Sequence, residues 1–367
     1  MTGTTLITGA DGYLGRRIAA ELLNGGDDAL LLAVRAADSG ELAAKRDLLA
    51  AELGPSAAGR TSVVPVDLRD DDAFGPVSPE AVTRIVHAAA VTRFNVDRDT
   101  ARRVNVEGTV RVAEFARRCR NLRRFALLST LYAAGRRSGT VKEERHDDTG
   151  FVNHYEWSKW AAEEHLLDSC ADLPLSVLRL PTVIADDDGG RVTQYNAYHN
   201  TLKLYYYGLL SLVPGDQGTP LHFATARFTT AAVTRLLDPA APEGIYHVCP
   251  DPPHNATLGR LIDTIFEVYE RDERFRRRRL LRPVYCTRAS FDDLVEVAEH
   301  LKGGPIHESL GSVSPFAHQL YLPKQFRNDA LRSVWEGYAA PDPVDLFQAT
   351  GEYLVASRWG REEGVPR

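Results

Sequence analysis

The chain has 367 residues, 44% of them hydrophobic and 26% charged, enough apolar material for one large domain or one domain carrying a smaller lobe. A formal charge of -6 and a pI near 6.0 give no electrostatic reason to expect a nucleic-acid partner. The four cysteines are scattered, with no C-x-x-C pair and no grouping with histidine, which points to a reducing, cytoplasmic setting and to no metal.

The first apolar run, Leu6–Thr8, comes within a few residues of Met1 and precedes a helical pattern near Arg16–Leu23. That start leaves no room for a signal peptide, and no apolar run approaches the ~18 residues of a membrane span. Ala29–Val34 precedes a helix across Glu41–Leu53, and Val63–Val66, Ile85–Ala88, Phe125–Leu128 and Val177–Leu180 follow, each separated by a helical stretch. Short apolar strands alternating with helices predict an α/β fold, a Rossmann-type doubly wound parallel sheet. Residues 1–185 form this domain. "DDDGG" at Asp186–Gly190 reads as a solvent loop, and an aromatic-rich tract follows from Tyr195 to Tyr207. A helix around Thr229–Leu237 and the strand "GIYHV" return 225–250 to the sheet domain. Residues 186–224 and 251–360 are assigned to a smaller C-terminal substrate-binding lobe, and "REEGVPR" to a loose tail.

"TGADGYLG" places Gly9, Gly12 and Gly15 between the first strand and the first helix, with Asp11, Tyr13 and Leu14 among them. Glycines there let backbone amides approach a pyrophosphate at a helix N-terminus, so this turn is read as a dinucleotide site. The second strand ends in Arg35, where an NAD-binding chain usually carries an acid. A planar guanidinium suits a 2′-phosphate, which makes NADPH the expected cofactor. In "NHYEWSKWAAE", Tyr155 and Lys159 are one helical turn apart, so phenol and ammonium share a face. A nearby cation favours phenolate and is expected to lower the tyrosine pKa.

These motifs, with "VDLRD", "HAAA", "NVEGT", "LLSTLYAAG" and "LRLPTVI", resemble an extended short-chain dehydrogenase/reductase from Thr4 to about Leu237. The resemblance implies that Thr130 hydrogen-bonds the substrate carbonyl, Tyr155 donates the proton, and Lys159 orients the nicotinamide ribose and tunes Tyr155. It places Asp67 and Leu68 at the adenine, Ala88, Ala89, Ala90 and Asn105 along the cofactor, and Pro181 and Val183 at the nicotinamide. Sugar-nucleotide dehydratases of this superfamily carry Asp-Glu after the threonine; Leu131 and Tyr132 stand there. Trp160 after the lysine, then A-x-E, is similar to the thioester reductase and fatty acyl-CoA reductase branch, although the same tryptophan serves equally well to pack the helix. The branch's P-V-D-Y-V-type segment is replaced by "ATARFTTAAV", and the glycine after "RLPTVI" by Ala185.

The resemblance therefore implies NADPH-dependent reduction of an acyl thioester, delivered by an acyl carrier protein or coenzyme A, to aldehyde or alcohol in secondary metabolism. The alternatives are a ketone or aldehyde reductase on a small or polyketide substrate, an epimerase, and a non-catalytic cofactor sensor, against which the intact Thr130, Tyr155 and Lys159 argue. "YNAYHNTLKLYYYG" offers pocket-lining aromatics. "RDERFRRRRLLR", Arg271–Arg282, is either a landing site for an acidic carrier or coenzyme A phosphates, or a solvated face paired with Asp272 and Glu273.

Overall fold

A computed structural model describes residues 3–251, 256–300 and 305–361. Seven parallel strands form the central sheet: β1 (Thr4–Thr8), β2 (Ala29–Val34), β3 (Thr61–Pro65), β4 (Val82–His87), β5 (Arg124–Thr130), β6 (Leu175–Leu180) and β7 (Gly244–His247). Their spatial order is β7-β6-β5-β4-β1-β2-β3. The order reverses at β1, so the crevice above β1 and β4 is the topological switch point where ligands bind on such sheets.

The strands are buried on both faces, which is why they read as continuous apolar runs. Adjacent Leu6 and Ile7 point to opposite faces. Ile7 packs with Ile18 of α1 (Tyr13–Gly25), Leu49 of α2 (Ser39–Leu53) and the later helix. Leu6 packs with Phe115 of α3 (Glu107–Arg118) and Leu166 of α4 (His154–Ser169). The Asn153 side chain caps α4 by accepting from the Glu156 N–H at 3.0 Å. This helix is unusual in burying polar residues along one face, with Tyr155, Glu156, Ser158, Lys159 and Glu163 all at 9% exposure or less.

The lobe has its own core. It joins α5 (Ala197–Tyr207), α7 (Leu258–Arg271) and the helix Pro343–Ala356, through residues such as Leu202, Ile265, Phe266 and Phe347. The intervening α6 (Ala226–Leu236) returns to the sheet domain, where Phe228 and Val233 are buried in the core around Ile7, and Leu331 joins them there. One further pairing crosses the chain: Gly139–Val141 lies parallel to Lys324–Phe326. No helix among the described residues is long and apolar enough to cross a membrane.

Candidate active site

After β1, Gly9 turns the chain with φ of +66°. A Cβ on Gly9 would lie 2.8 Å from the Ala89 Cα, and one on Gly15 would lie 2.2 Å from the Gly9 carbonyl oxygen. Neither position admits a side chain. The Gly12 N–H donates to the Gly9 carbonyl at 2.9 Å, and α1 begins with no side chain capping its first amides. Those amides, at the positive end of a 13-residue helix, are a ready cradle for a pyrophosphate. Gly9, Gly12, Tyr13, Leu14 and Gly15 all line the cavity described below.

A buried chain of hydrogen bonds fixes the neighbouring strand end. Thr109 Oγ1 donates to the Asn105 carbonyl at 2.6 Å, so His87 Nε2 donates to Thr109 (2.9 Å) and His87 Nδ1 accepts from Thr8 Oγ1 (2.8 Å). Thr8 in turn accepts from the Ala89 N–H at 3.2 Å. Burial, with the charge of Lys159 second, lowers the His87 pKa to about 3, so it is a neutral spacer here and not a proton carrier. Asn105 sits in a π-helical turn, Arg102–Val106, with its amide fully engaged. It accepts from Val91 N–H (2.8 Å) and donates to Val91 O and Ser158 Oγ, both at 2.9 Å. At 1% exposure it holds the Ala88–Val91 segment from behind and does not line the cavity, whereas Ala88 and Ala90 do.

Thr130 at the end of β5 and Tyr155 and Lys159 on α4 meet at one cavity of about 540 Å³, which Pro181 and Val183 also line. Burial pushes the Tyr155 phenol well above the usual tyrosine range, and the Thr130 hydroxyl opposes that rise. The expected lowering by Lys159 is absent among the interactions that set it. The ammonium instead donates to the Leu128 carbonyl at 2.7 Å, and burial, offset by Glu163, brings its own pKa down to about 8. Phe94, absent from the sequence reading, is the aromatic hub of the site. Its ring lies 5.7 Å from Tyr155, 5.5 Å from Tyr132 and 5.8 Å from Phe316. The wall away from the glycine turn is largely apolar, including Leu202, Val213, Leu261, Ile262 and Leu320. Of the tyrosine tract, Tyr198 and Tyr205 line it; Tyr206 instead packs against Tyr269 and Phe275.

The remaining expected cofactor residues lie outside the cavity wall, at the ends of β1, β2 and β3. Arg35 is exposed. Asp67 is forked by Arg69, whose hydrogen bonds, followed by weaker charge effects that include Arg35, hold its carboxyl below the usual range. Leu68 is buried beneath Gly108. A second cation that the sequence did not single out joins them: Lys45 Nζ lies 2.9 Å from Asp11, 3.0 Å from Glu41 and 2.6 Å from the Arg35 carbonyl.

Of the two readings of Trp160 the structure supports packing, and the reading of Asp186 changes. Trp160 donates to the His146 carbonyl at 2.7 Å and packs 5.3 Å from Phe151, off the cavity, so its role is to seat α4 on the 142–151 segment. Asp186 is not plain solvent loop. It accepts from the Tyr13 hydroxyl (2.6 Å), Arg17 (2.7 Å) and Thr193 (2.9 Å), tying the glycine turn to the far side of the cleft. Nothing in an acidic pentapeptide announces partners some 170 residues earlier.

The profile of a family described as male sterility protein matches residues 7–233, well over half of the chain. An isonitrile lipopeptide synthase of Streptomyces coeruleorubidus is 29% identical over 210 residues, 54% of this chain and 14% of that protein. Fatty acyl-CoA reductase 2, chloroplastic, of Arabidopsis thaliana is 29% identical over 161 residues, 38% of this chain and 26% of that protein. The chain thus spans only a small part of the length of either curated relative. The terminal R domain from the myxalamid PKS-NRPS biosynthetic pathway superposes with a TM-score of 0.75 at 19% identity, covering 100% of this chain and 93% of that one, a likeness of fold. With the glycine turn, the sheet and the Tyr155–Lys159 helix all inside the matched residues, the chain belongs to the male sterility protein family of extended short-chain dehydrogenase/reductases and is an NAD(P)-dependent oxidoreductase.

Proposed function

We propose that this protein reduces an acyl thioester, bound to an acyl carrier protein or coenzyme A, to an aldehyde or alcohol with NADPH, as a step of secondary metabolism. The observation that carries the reading is the single cavity: Thr130, Tyr155 and Lys159 stand between the glycine turn and an apolar wall suited to an acyl chain. The lipopeptide synthase and the fatty acyl-CoA reductase among the relatives support it by name.

Gly9, Gly12 and Gly15 would hold the pyrophosphate, Arg35 and Lys45 the 2′-phosphate, and Lys159 the nicotinamide ribose. Bound there, the dinucleotide supplies a hydride to the carbonyl carbon. Thr130 and Tyr155 hydrogen-bond the carbonyl oxygen as negative charge develops on it, and Tyr155 gives it a proton. Because burial keeps the phenol protonated across the neutral range, Tyr155 is charged with its proton before substrate arrives. The hemithioacetal so formed loses its hydroxyl proton as the C–S bond breaks; a proton ends on the departing thiolate, the aldehyde remains, and Tyr155 regains its proton from solvent. Leu131 and Tyr132, standing where a dehydratase has its acids, offer no carboxyl group for elimination, and Tyr132 bonds Thr182 at 3.2 Å.

The test is NADPH oxidation against acyl-CoA, acyl-carrier and simple ketone panels, with free thiol titrated in parallel. One thiol released per NADPH consumed for an aldehyde product, or one thiol per two NADPH for an alcohol, is the expected result. Turnover of free ketones with no thiol released from any thioester would replace this reading with ketone reduction.

A further inference from the structure

Glu156 follows Tyr155 directly and is 0% exposed, an uncommon place for a carboxylate. It accepts from the Val152 N–H at 3.0 Å, Asn153 Nδ2 at 3.1 Å and Gln319 Nε2 at 2.8 Å. The other end of the same amide, Gln319 Oε1, accepts from Lys324 Nζ. The order of groups is forced: only the donor end of Gln319 suits the carboxylate, and only its acceptor end suits the ammonium. Gln319 and Lys324 line the cavity that holds Tyr155. A second tie runs beside the first, from Asn153 Nδ2 to the Pro315 carbonyl at 3.0 Å. Between the two ties Phe316 reaches the Phe94 ring, which stands edge-on to Tyr155. Burial raises the Glu156 pKa to about 7 and lowers that of Lys324 to about 8, the mark of two ionisable groups taken out of water.

We propose that Glu156, Gln319 and Lys324 form a hydrogen-bonded strut that sets the first turn of α4, and with it Tyr155, against the lobe wall of the cavity, so that all three are positioning residues for the reduction. The kinetic arm of the test rests on the function proposed above; the exchange arm does not. Gln319→Leu cuts the strut while keeping a side chain of similar bulk. In hydrogen–deuterium exchange on the full chain, it should speed exchange about tenfold in both 315–324 and 153–157 and leave 9–15 unchanged, because linked segments open together. Acceleration confined to 315–324 would overturn the proposal. In steady-state kinetics, Gln319→Leu should lower kcat by up to about 10²-fold with an unchanged KM for NADPH, the effect of misplacing a reacting group by a fraction of its reach. Glu156→Gln and Gln319→Glu should each lower kcat, and the double swap, which returns a donor to an acceptor between 156 and 319, should recover part of the loss, since the Val152 N–H gives up the carboxylate oxygen it shares with Gln319. A swap no better than the worse single variant, or variants that change only KM, would also overturn it. If the wild-type protein reduces no thioester and no other carbonyl, the functional reading fails and the exchange result alone decides the strut.

Discussion

Arg179 of β6 and Glu163 of α4 form an ion pair at 2.7 Å in which the side chains are 0% and 1% exposed. Glu163 lies one turn beyond Lys159, accepts from Ser129 next to Thr130, and raises the Lys159 pKa against the larger effect of burial. Arg179 Nη1 donates to the Glu144 carbonyl at 3.0 Å and lies 3.1 and 3.3 Å from the Nε2 atoms of His146 and His247. Thus the helix that carries Tyr155 and Lys159 and the strand ends behind it are joined by charge, away from solvent.

Arg179→Met should destabilise the fold by about 3–5 kcal/mol, because it strands the Glu163 carboxylate in the interior. The double variant Arg179→Met with Glu163→Gln should recover much of that, since no lone charge remains. Urea unfolding followed by circular dichroism measures both; equal stability of the single variant and wild type would show that the pair contributes nothing.

Arg35→Ala should weaken NADPH by about 1.5–3 kcal/mol, the worth of a hydrogen bond to a charged group, and leave NADH nearly unchanged. Lys45→Ala should act in the same direction, because it shares that end of the cleft. Fluorescence titration with each cofactor separates the cases, and equal losses for both cofactors would remove Arg35 from the 2′-phosphate.

Tyr155→Phe should retain cofactor binding while turnover falls by about 10²–10⁴-fold, the usual worth of a positioned acid. Normal turnover in this variant would exclude Tyr155 as the proton donor.

The pH profile follows from Lys159. Its pKa, brought down chiefly by burial to about 8, leaves it charged below that pH and neutral above. The free-enzyme rate kcat/KM should therefore fall about tenfold per pH unit above ~8. Lys159→Arg, permanently charged, should lose that descending limb. Lys324→Met should keep it, which separates the two lysines of similar pKa. Stability should run the opposite way. Between about pH 8 and 10.5 the unfolded chain holds the Lys159 proton and the folded chain has released it, so stability rises with pH across that window. The difference in thermal melts between wild type and Lys159→Met over those pH values tests this sign, because it removes the like contribution of Lys324 and the opposite one of the buried cysteines.

Of the arginine run, Arg277 is engaged by Glu273 at 2.5 Å, and Arg278 stacks on Tyr206 and Tyr207. Arg276 and Arg279 stand exposed near Leu281, which is 91% exposed. If a carrier docks there, neutralising Arg276 and Arg279 should raise KM for a carrier-bound acyl group several-fold and remove its salt dependence, since exposed charges are screened beyond ~8–10 Å. An unchanged KM would locate docking elsewhere.

The seven sheet strands were legible because parallel strands buried on both faces spell themselves as apolar runs. The glycine turn was legible because its glycines sit in the one context that requires them. Thr130, Tyr155 and Lys159 could be named from spacing and resemblance. Glu156, Gln319 and Asp186 could not, because each bonds a partner far along the chain, and Lys324 connects to Glu156 only through Gln319. Asn105 was legible as important, yet its amide faces Val91 and Ser158 inside the fold; a motif position carries no direction for its side chain. The Tyr155 pKa went the other way from expectation for a related reason. Helical spacing brings two residues to one face, but burial and the Leu128 carbonyl decide what each of them feels.

The parallel pairing of Gly139–Val141 with Lys324–Phe326 bears on how such proteins can be recombined. The strand that follows Gln319 is completed by a short strand between Thr130 and Tyr155, so the lobe is not a cassette that begins and ends at one junction. A chimera that imports a foreign lobe to change acyl preference, but keeps the host's 139–141 segment, inherits an edge with the wrong mate. Transplants that carry both segments together should yield folded hybrids where single-junction fusions do not.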